Sequence, residues 1–163
     1  MVVQVQEPKT DTREIWSNAL AAAAGVARQA ASSEQDLVRA VSKELRQLEL
    51  RGGVALLQPD GTLIVQGRSL STTVERQLKR LTGQALEGYR FDPQQVDIYR
   101  QALQHREAVF TTNRSEVVGQ MMPQRLRPLL PRIIQLLGDT PVIVAPLIHD
   151  NLLLGTLNVS APW

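Results

Sequence analysis

The sequence predicts an α+β fold in which one antiparallel sheet of five or six strands carries helices on both faces. One apolar hairpin follows the first helical segments, another ends the chain, and amphipathic helices alternate with short strands between them. Strands at both ends of a domain with helices between them are typical of this class. The 163 residues and the 43% hydrophobic content fit one globular domain with its own core.

The N-terminal part of the chain predicts two helices. A small, Ala-rich helix is expected over residues 12–31. Ser33 and Asp36 resemble a capping box, and the apolar residues after them recur at spacings of three and four. This pattern predicts an amphipathic helix of about 15 residues. Gly52–Gly53 is interpreted as the signal that ends it.

A hairpin and a capped helix follow. The apolar segments 54–57 and 62–65 flank Pro59–Gly61, which is a strong turn signal. Ser71 then opens a further helix, and Gly83 marks its end.

The middle of the chain alternates short strands with short helices because proline, asparagine and aspartate interrupt it repeatedly. The predicted elements are a strand over 85–91, a helix opened by Asp92–Pro93, a strand over 108–111, a helical turn capped by Asn113 and Glu116, and a helix over 131–137.

The final hairpin is the strongest strand signal. Its strands are predicted over 142–148 and 152–160, with His149–Asn151 at the tip. Residues 142–147 are apolar at every position, so we expect this strand to be central and covered on both faces.

Composition excludes several kinds of chemistry. The chain has no Cys, which removes disulfides, thiolate metal sites, cysteine nucleophiles and thioether-linked chromophores. The two histidines, His105 and His149, lie far apart, and no catalytic motif accompanies them. We therefore expect no catalytic residue, no metal site and no cofactor.

Charge and hydropathy indicate where the protein works. The net charge is only +2, and basic and acidic residues alternate along the chain, which is not the pattern of a nucleic-acid binder. No apolar run approaches the roughly 20 residues of a membrane span, and the N-terminus has no signal-peptide pattern. These features predict a cytoplasmic protein that binds neither nucleic acid nor membrane.

The order of elements resembles a GAF domain, a regulatory module of signalling proteins. The segments that carry the resemblance are 53–61, 107–113, 142–148 and 154–159, and the likeness covers residues 33–160. The chain is most similar to GAF domains of bacterial sensors, especially sensor histidine kinases. Their role, as the resemblance implies it, is to bind a small molecule and pass the change through terminal helices to an output domain.

The resemblance also implies a division of the chain. Residues 1–31 are expected to form a tail and a linking or dimerisation helix, and residues 32–163 the GAF-like sensory domain. The C-terminal helix that the family normally carries after its last strand is not part of this sequence. Family members commonly pair through terminal helices, so a homodimer is expected, with Trp16 as the large aromatic side chain for such a seam.

The best-known activities of the family are not supported. The signature of its cyclic-nucleotide-binding members is absent, and its bilin-binding members and methionine sulfoxide reductases need a cysteine. The isolated domain is therefore not expected to be an enzyme.

The family's ligand pocket lies between the sheet and the middle of the chain, which here is rich in aromatic and basic residues. In one interpretation an arginine binds an anionic ligand between aromatic walls, and the methionines form a lid. In the other, the aromatics fill the core and the arginines extend to solvent. The candidate ligand-binding residues are Tyr89, Arg90, Phe91, Tyr99, Arg114, Met121 and Met122.

Two further functions stay open. The chain could be a structural dimerisation module without a ligand, against which an empty cavity larger than about 300 Å³ would count. It could also be the effector domain of a transcription regulator, although no helix-turn-helix pattern is visible.

Overall fold

A computed structural model describes residues 33–160 and shows a six-stranded antiparallel sheet with helices on both faces, as predicted. The expected helix over 12–31, with Trp16, lies outside the described residues. In chain order the elements are α1 (Glu34–Gln47), β1 (Arg51–Leu57), β2 (Leu63–Arg68), α2 (Thr72–Thr82), β3 (Arg90–Phe91), a 3₁₀ turn (Pro93–Gln95), α3 (Asp97–His105), β4 (Val109–Thr111), α4 (Arg114–Met121), a 3₁₀ segment (Gln124–Leu129), α5 (Leu130–Leu137), β5 (Val142–His149) and β6 (Leu152–Ser160).

The sheet has the strand order β3-β2-β1-β6-β5-β4, and each neighbouring pair is antiparallel. The first hairpin and the last therefore meet at the centre, where β1 pairs with β6. β5 lies between β6 and the short edge strand β4, and its residues from Val142 to Ala145 are all buried. The prediction that both faces of this strand are covered is confirmed, although β1 and β6 are the central strands.

Helix α1 begins and ends with local hydrogen bonds. The Ser33 hydroxyl accepts a hydrogen bond from the Asp36 amide at 3.1 Å, as the capping pattern predicts. At the other end Glu49 adopts a left-handed conformation with φ 55°. The Leu50 amide then donates to the Leu45 carbonyl, and the Glu49 amide to that of Arg46, which together form a Schellman motif.

The interpretation of Gly52–Gly53 as a helix stop is wrong. Both glycines lie inside β1, and the helix has already ended before Glu49. At Gly52 a Cβ atom would lie 2.1 Å from the backbone oxygen of Asn158 on β6. Gly52 is therefore present because two central strands approach closely there, which is a contact between distant parts of the sequence.

The first face of the sheet is covered by α1. Leu37, Val41 and Leu45 of the helix pack on Val54 of β1 and Leu157 of β6, and all five are buried. The residues that alternate with Val54 and Leu157 point to the opposite face. Helices α2 to α5 and their connections lie over that second face.

The predicted strand over 85–91 is correct only at its end, because β3 contains just Arg90 and Phe91. The preceding residues form a loop in which Gly88 has φ 76°, a conformation that interrupts an extended strand. Hydrogen bonds of 2.9 and 2.8 Å between Val65 and the backbone of Tyr89 and Gly88 hold this loop on β2.

A second hydrophobic core lies on the second face of the sheet, and helix α3 provides the residues at its centre. Tyr99 is 1% exposed, and its ring meets Phe91 edge to face at a centroid distance of 5.0 Å. Val96 and Ala102 of the same region are fully buried beside it. This packing fixes the direction of the Tyr99 side chain, whose hydroxyl extends to the site described next.

Candidate ligand-binding site

A cavity of about 190 Å³ lies between the second face of the sheet and helices α2, α4 and α5. Its floor is formed by the two central strands and β5, through Gly53, Asn158 and Val142. Asn158 is paired with Gly53 in the sheet. Because Gly53 has no side chain, the floor is open beside the Asn158 amide.

The walls of the cavity are mostly apolar. Leu78 of α2, Val117 and Val118 of α4, and Ile133 of α5 line it from the helices. The loop before β3 adds Leu86. Such a lining favours a ligand with an apolar body.

Polar side chains also line the cavity: Thr82, Gln84, Tyr89, Tyr99, Arg114, Asn158 and Ser160. The Asn158 side-chain amide donates a hydrogen bond of 2.9 Å to the Tyr99 hydroxyl oxygen. Among the described residues, no acceptor takes the proton of that hydroxyl. Burial raises the pKa of Tyr99, so this hydroxyl stays protonated and is able to donate a hydrogen bond.

Arg114 is held in place by the end of α5. Its Nη1 donates to the carbonyls of Leu137 and Gly138, each at 3.1 Å, and to the Thr140 hydroxyl at 2.9 Å. Its Nη2 donates to the Ser160 hydroxyl at 3.3 Å. The guanidinium thus satisfies the last carbonyls of a helix, where a cation is favoured.

This fixed guanidinium has no carboxylate partner within 4 Å among residues 33–160. Burial, and then the positive charge of Arg51, lower the pKa of Arg114, while the charge of Asp139 acts in the opposite direction. An arginine keeps its proton in spite of such a shift, so the cavity has a partly buried positive charge at its polar end.

Five of the seven predicted site residues lie at the cavity: Tyr89, Tyr99, Arg114, Met121 and Met122. The Tyr89 hydroxyl donates a hydrogen bond of 2.6 Å to the Met121 carbonyl, which joins the loop before β3 to the end of α4. The two methionines and Pro123 then continue along the cavity wall.

The other two predicted residues lie elsewhere. Arg90 is exposed and forms an ion pair of 2.9 Å with Asp60 of the first turn. Phe91 is buried in the core against Tyr99 and does not line the cavity. Arg90 leaves β3 away from the cavity, whereas Phe91 lies on the same face of the sheet as the cavity but packs against Tyr89 and Tyr99, which line it in its place.

Sequence reasoning missed Asn158 and Ser160. Asn158 stands inside the apolar strand β6, and asparagine is depleted in strands, so its presence there was an available signal. Ser160 at the end of the strand carried no such signal.

In the described part of the chain no group of three metal-ligating side chains comes together. None of the helices within residues 33–160 is long and apolar enough to cross a membrane.

Comparison with known proteins gives the fold a name. No protein-family model and no curated protein matches the chain. Among solved structures, the GAF domain of a phosphoenolpyruvate-protein phosphotransferase from Coxiella burnetii is similar with a TM-score of 0.52 and 14% identity, over 89% of this chain and 78% of that one. This chain has the GAF fold, as the resemblance of its sequence implied.

Two other solved structures are similar at a lower level. One is a GAF domain/HD domain protein from Geobacter sulfurreducens, with a TM-score of 0.48 and 14% identity over 74% of this chain and 69% of that one. The other is the chromophore-binding domain of a bacteriophytochrome from R. palustris, with a TM-score of 0.48 and 13% identity over 96% and 54% of the two chains.

Proposed function

We propose that this chain is the regulatory sensory domain of a bacterial signal-transduction protein, and that it binds a small molecule in the cavity above β1 and β6. The observation that carries the proposal is an apolar cavity with an anchored guanidinium that has no ion pair with a described carboxylate within 4 Å. The Coxiella burnetii domain of similar fold belongs to a larger phosphotransferase protein. A role as one module of a longer protein, such as a sensor histidine kinase, suits this chain equally.

The architecture offers a route by which a bound ligand could alter the terminal helices. Along β1, Gly53 lines the cavity while its neighbour Val54 packs under α1. Along β6, Asn158 likewise lines the cavity, while its neighbour Leu157 packs under α1. A ligand that favours one packing of the sheet therefore shifts the position of α1 and of the helix expected before it.

No reaction is proposed for the domain itself. The polar groups at the cavity are amides, hydroxyls and a fixed cation, which suit binding. The homodimer expected through the N-terminal helices remains part of the proposal, because it would carry the change to an output domain.

A ligand-free dimerisation module is the second candidate. The cavity of about 190 Å³ is smaller than the roughly 300 Å³ at which typical ligand pockets begin, which favours this alternative. The binding proposal therefore requires a ligand smaller than a typical drug molecule.

Native mass spectrometry of freshly purified protein separates the two candidates. We expect a mass retained on the native species that disappears on denaturation. Val118→Phe should remove it by filling the cavity, while Leu152→Phe, a change of the same kind at an exposed position, should keep it. An unliganded dimer in repeated preparations would instead support the dimerisation module.

A further inference from the structure

We infer that the cavity is selective for a small, mostly apolar monocarboxylate, whose carboxylate is bound by Arg114 together with the Tyr99 hydroxyl. This inference rests on the proposed function and names the ligand class of the same site. It depends on three properties of the cavity: its size, its apolar walls and the donors left free at its polar end.

Size limits the ligand first. An apolar cavity of roughly 150 Å³ is large enough to hold benzene. A cavity of about 190 Å³ therefore holds one ring, or a branched chain of similar volume, with a small polar group. Nucleotides and tetrapyrroles are far larger than this space.

The donors at the polar end determine the charge of that group. Nη1 of Arg114 is saturated by the end of α5, whereas Nη2 has one described acceptor and Nε has none among residues 33–160. The Nε N–H and one N–H of Nη2 thus have no described acceptor, and a carboxylate is able to accept from these two neighbouring nitrogens with both of its oxygens.

The Tyr99 hydroxyl adds a third donor. Its oxygen already accepts a hydrogen bond from Asn158, so its remaining capacity is to donate. A neutral amide ligand offers these three donors only one oxygen, and its NH2 group would bring further donors to a guanidinium that has no described carboxylate partner. A carboxylate satisfies all of them.

The surrounding charges favour an anion as well. Nη1 of Arg51 approaches the same Leu137 carbonyl at 3.5 Å, so a second guanidinium lies beside the first. Asp139 is the acidic residue whose charge acts on Arg114, and it is exposed. An anionic ligand would relieve the repulsion between the two arginines.

Isothermal titration calorimetry with phenylacetate and with its neutral isostere phenylacetamide tests the inference at neutral pH. We expect phenylacetate to bind about tenfold more tightly or better, since hydrogen bonds to charged groups are the stronger ones. Arg114→Gln should remove this preference, while Arg90→Gln, which changes an exposed arginine away from the cavity, should keep it.

Arg114→Gln could lose binding through a folding defect, because Arg114 also stabilises the end of α5. A second variant, which keeps Arg114, therefore tests the same inference. Ser160→Asp keeps Arg114 and offers it an internal carboxylate where the Ser160 hydroxyl now lies. We expect this variant to bind phenylacetate at least tenfold more weakly and to lose less affinity for phenylacetamide, so that the ratio of the two affinities falls.

The outcomes distinguish the inference from the function on which it rests. Equal affinity for the two probes, or a charge preference that survives Arg114→Gln and Ser160→Asp, overturns the carboxylate inference and leaves a ligand-binding domain. If neither probe binds and native spectra show no retained mass, the proposed function fails together with the inference.

Discussion

The side-chain amide of Asn158 on β6 donates a hydrogen bond to the hydroxyl oxygen of Tyr99 on α3, across 2.9 Å and 59 residues of sequence. This contact joins the centre of the sheet to the helix that covers it. It also leaves the Tyr99 hydroxyl as a donor at the polar end of the cavity. Core packing and the proposed ligand selectivity therefore depend on the same tyrosine.

The first prediction concerns the ionisation of the two tyrosines. Burial raises the pKa of both Tyr89 and Tyr99 above the ordinary value near 10. In Tyr89→Phe only Tyr99 can ionise, so absorbance near 295 nm reports this residue alone. We expect the midpoint of its ionisation in the native protein to lie above pH 10.

The same shift makes stability depend on alkaline pH. Folded Tyr99 holds its proton more tightly than unfolded Tyr99, so its contribution is fully present below pH 10 and is lost as pH rises through the raised value. The free energy of unfolding should fall less steeply above pH 10 in Tyr99→Phe than in the parent protein. An ionisation midpoint at or below pH 10 in folded Tyr89→Phe would contradict this prediction.

The second prediction concerns the close approach of the central strands. Gly52→Ala should lower the free energy of unfolding by about 3 kcal/mol, because the new Cβ would lie 2.1 Å from the Asn158 oxygen and the strands would have to separate. Urea denaturation followed by circular dichroism measures the loss.

Gly119→Ala is the matched control. Its Cβ would meet only the flexible end of the Leu130 side chain at 3.3 Å, and alanine favours the helix by up to about 1 kcal/mol. We expect this variant to be as stable as the parent or slightly more so. Equal losses at the two glycines would show that strand contact is not the cause.

Local signals allowed much of this fold to be predicted. The Ser33 cap, the turn at Asp60–Gly61 and the final hairpin at Asp150–Asn151 each depend on residues within a few positions of one another. Each of these features is determined by the side chains and backbone angles of residues that lie next to one another in the sequence. The sequence therefore sufficed to find them.

Contacts between distant segments could not be predicted in this way. Gly52 resembles a helix stop when its sequence neighbours alone are considered. The contact that requires a glycine there is with the Asn158 backbone, more than a hundred residues further along the chain. The sequence offered Arg90 and Arg114 as equal candidates for an anion. Only the sheet order shows that Arg90 lies beside Asp60, whereas Arg114 lies at the cavity.

The third prediction concerns the end of α1. Glu49 is exposed and has φ 55°, a left-handed conformation that glycine adopts without strain. Glu49→Gly should raise the free energy of unfolding by about 0.5 to 1 kcal/mol, because the relief of the left-handed strain exceeds the extra entropy that glycine loses on folding. Thermal or urea unfolding measures the gain. Glu49→Ala, which removes the same side chain but keeps a Cβ, should show no such gain, and an equal gain in both variants would attribute the effect to charge.

The fourth prediction concerns acid stability and the first hairpin turn. The pKa of Asp60 is lowered chiefly because its carboxylate accepts hydrogen bonds from the Thr62 hydroxyl at 2.6 Å and the Thr62 amide at 3.0 Å. The positive charge of Arg90 lowers it further, as a smaller cause. Stability from this carboxylate is present above its unfolded pKa near 4 and is lost as pH falls through the lower, folded value.

The order of these causes can be tested by following the Asp60 carboxyl carbon in an NMR pH titration. Thr62→Val removes the hydroxyl but keeps the backbone amide, and it should raise the pKa of Asp60 more than Arg90→Gln does. Raising the salt concentration should reduce the effect of Arg90→Gln, because the ion pair is exposed and screened, and should leave the effect of Thr62→Val. A larger shift in Arg90→Gln would mean that the ion pair, and not the turn, holds this carboxylate in its charged form.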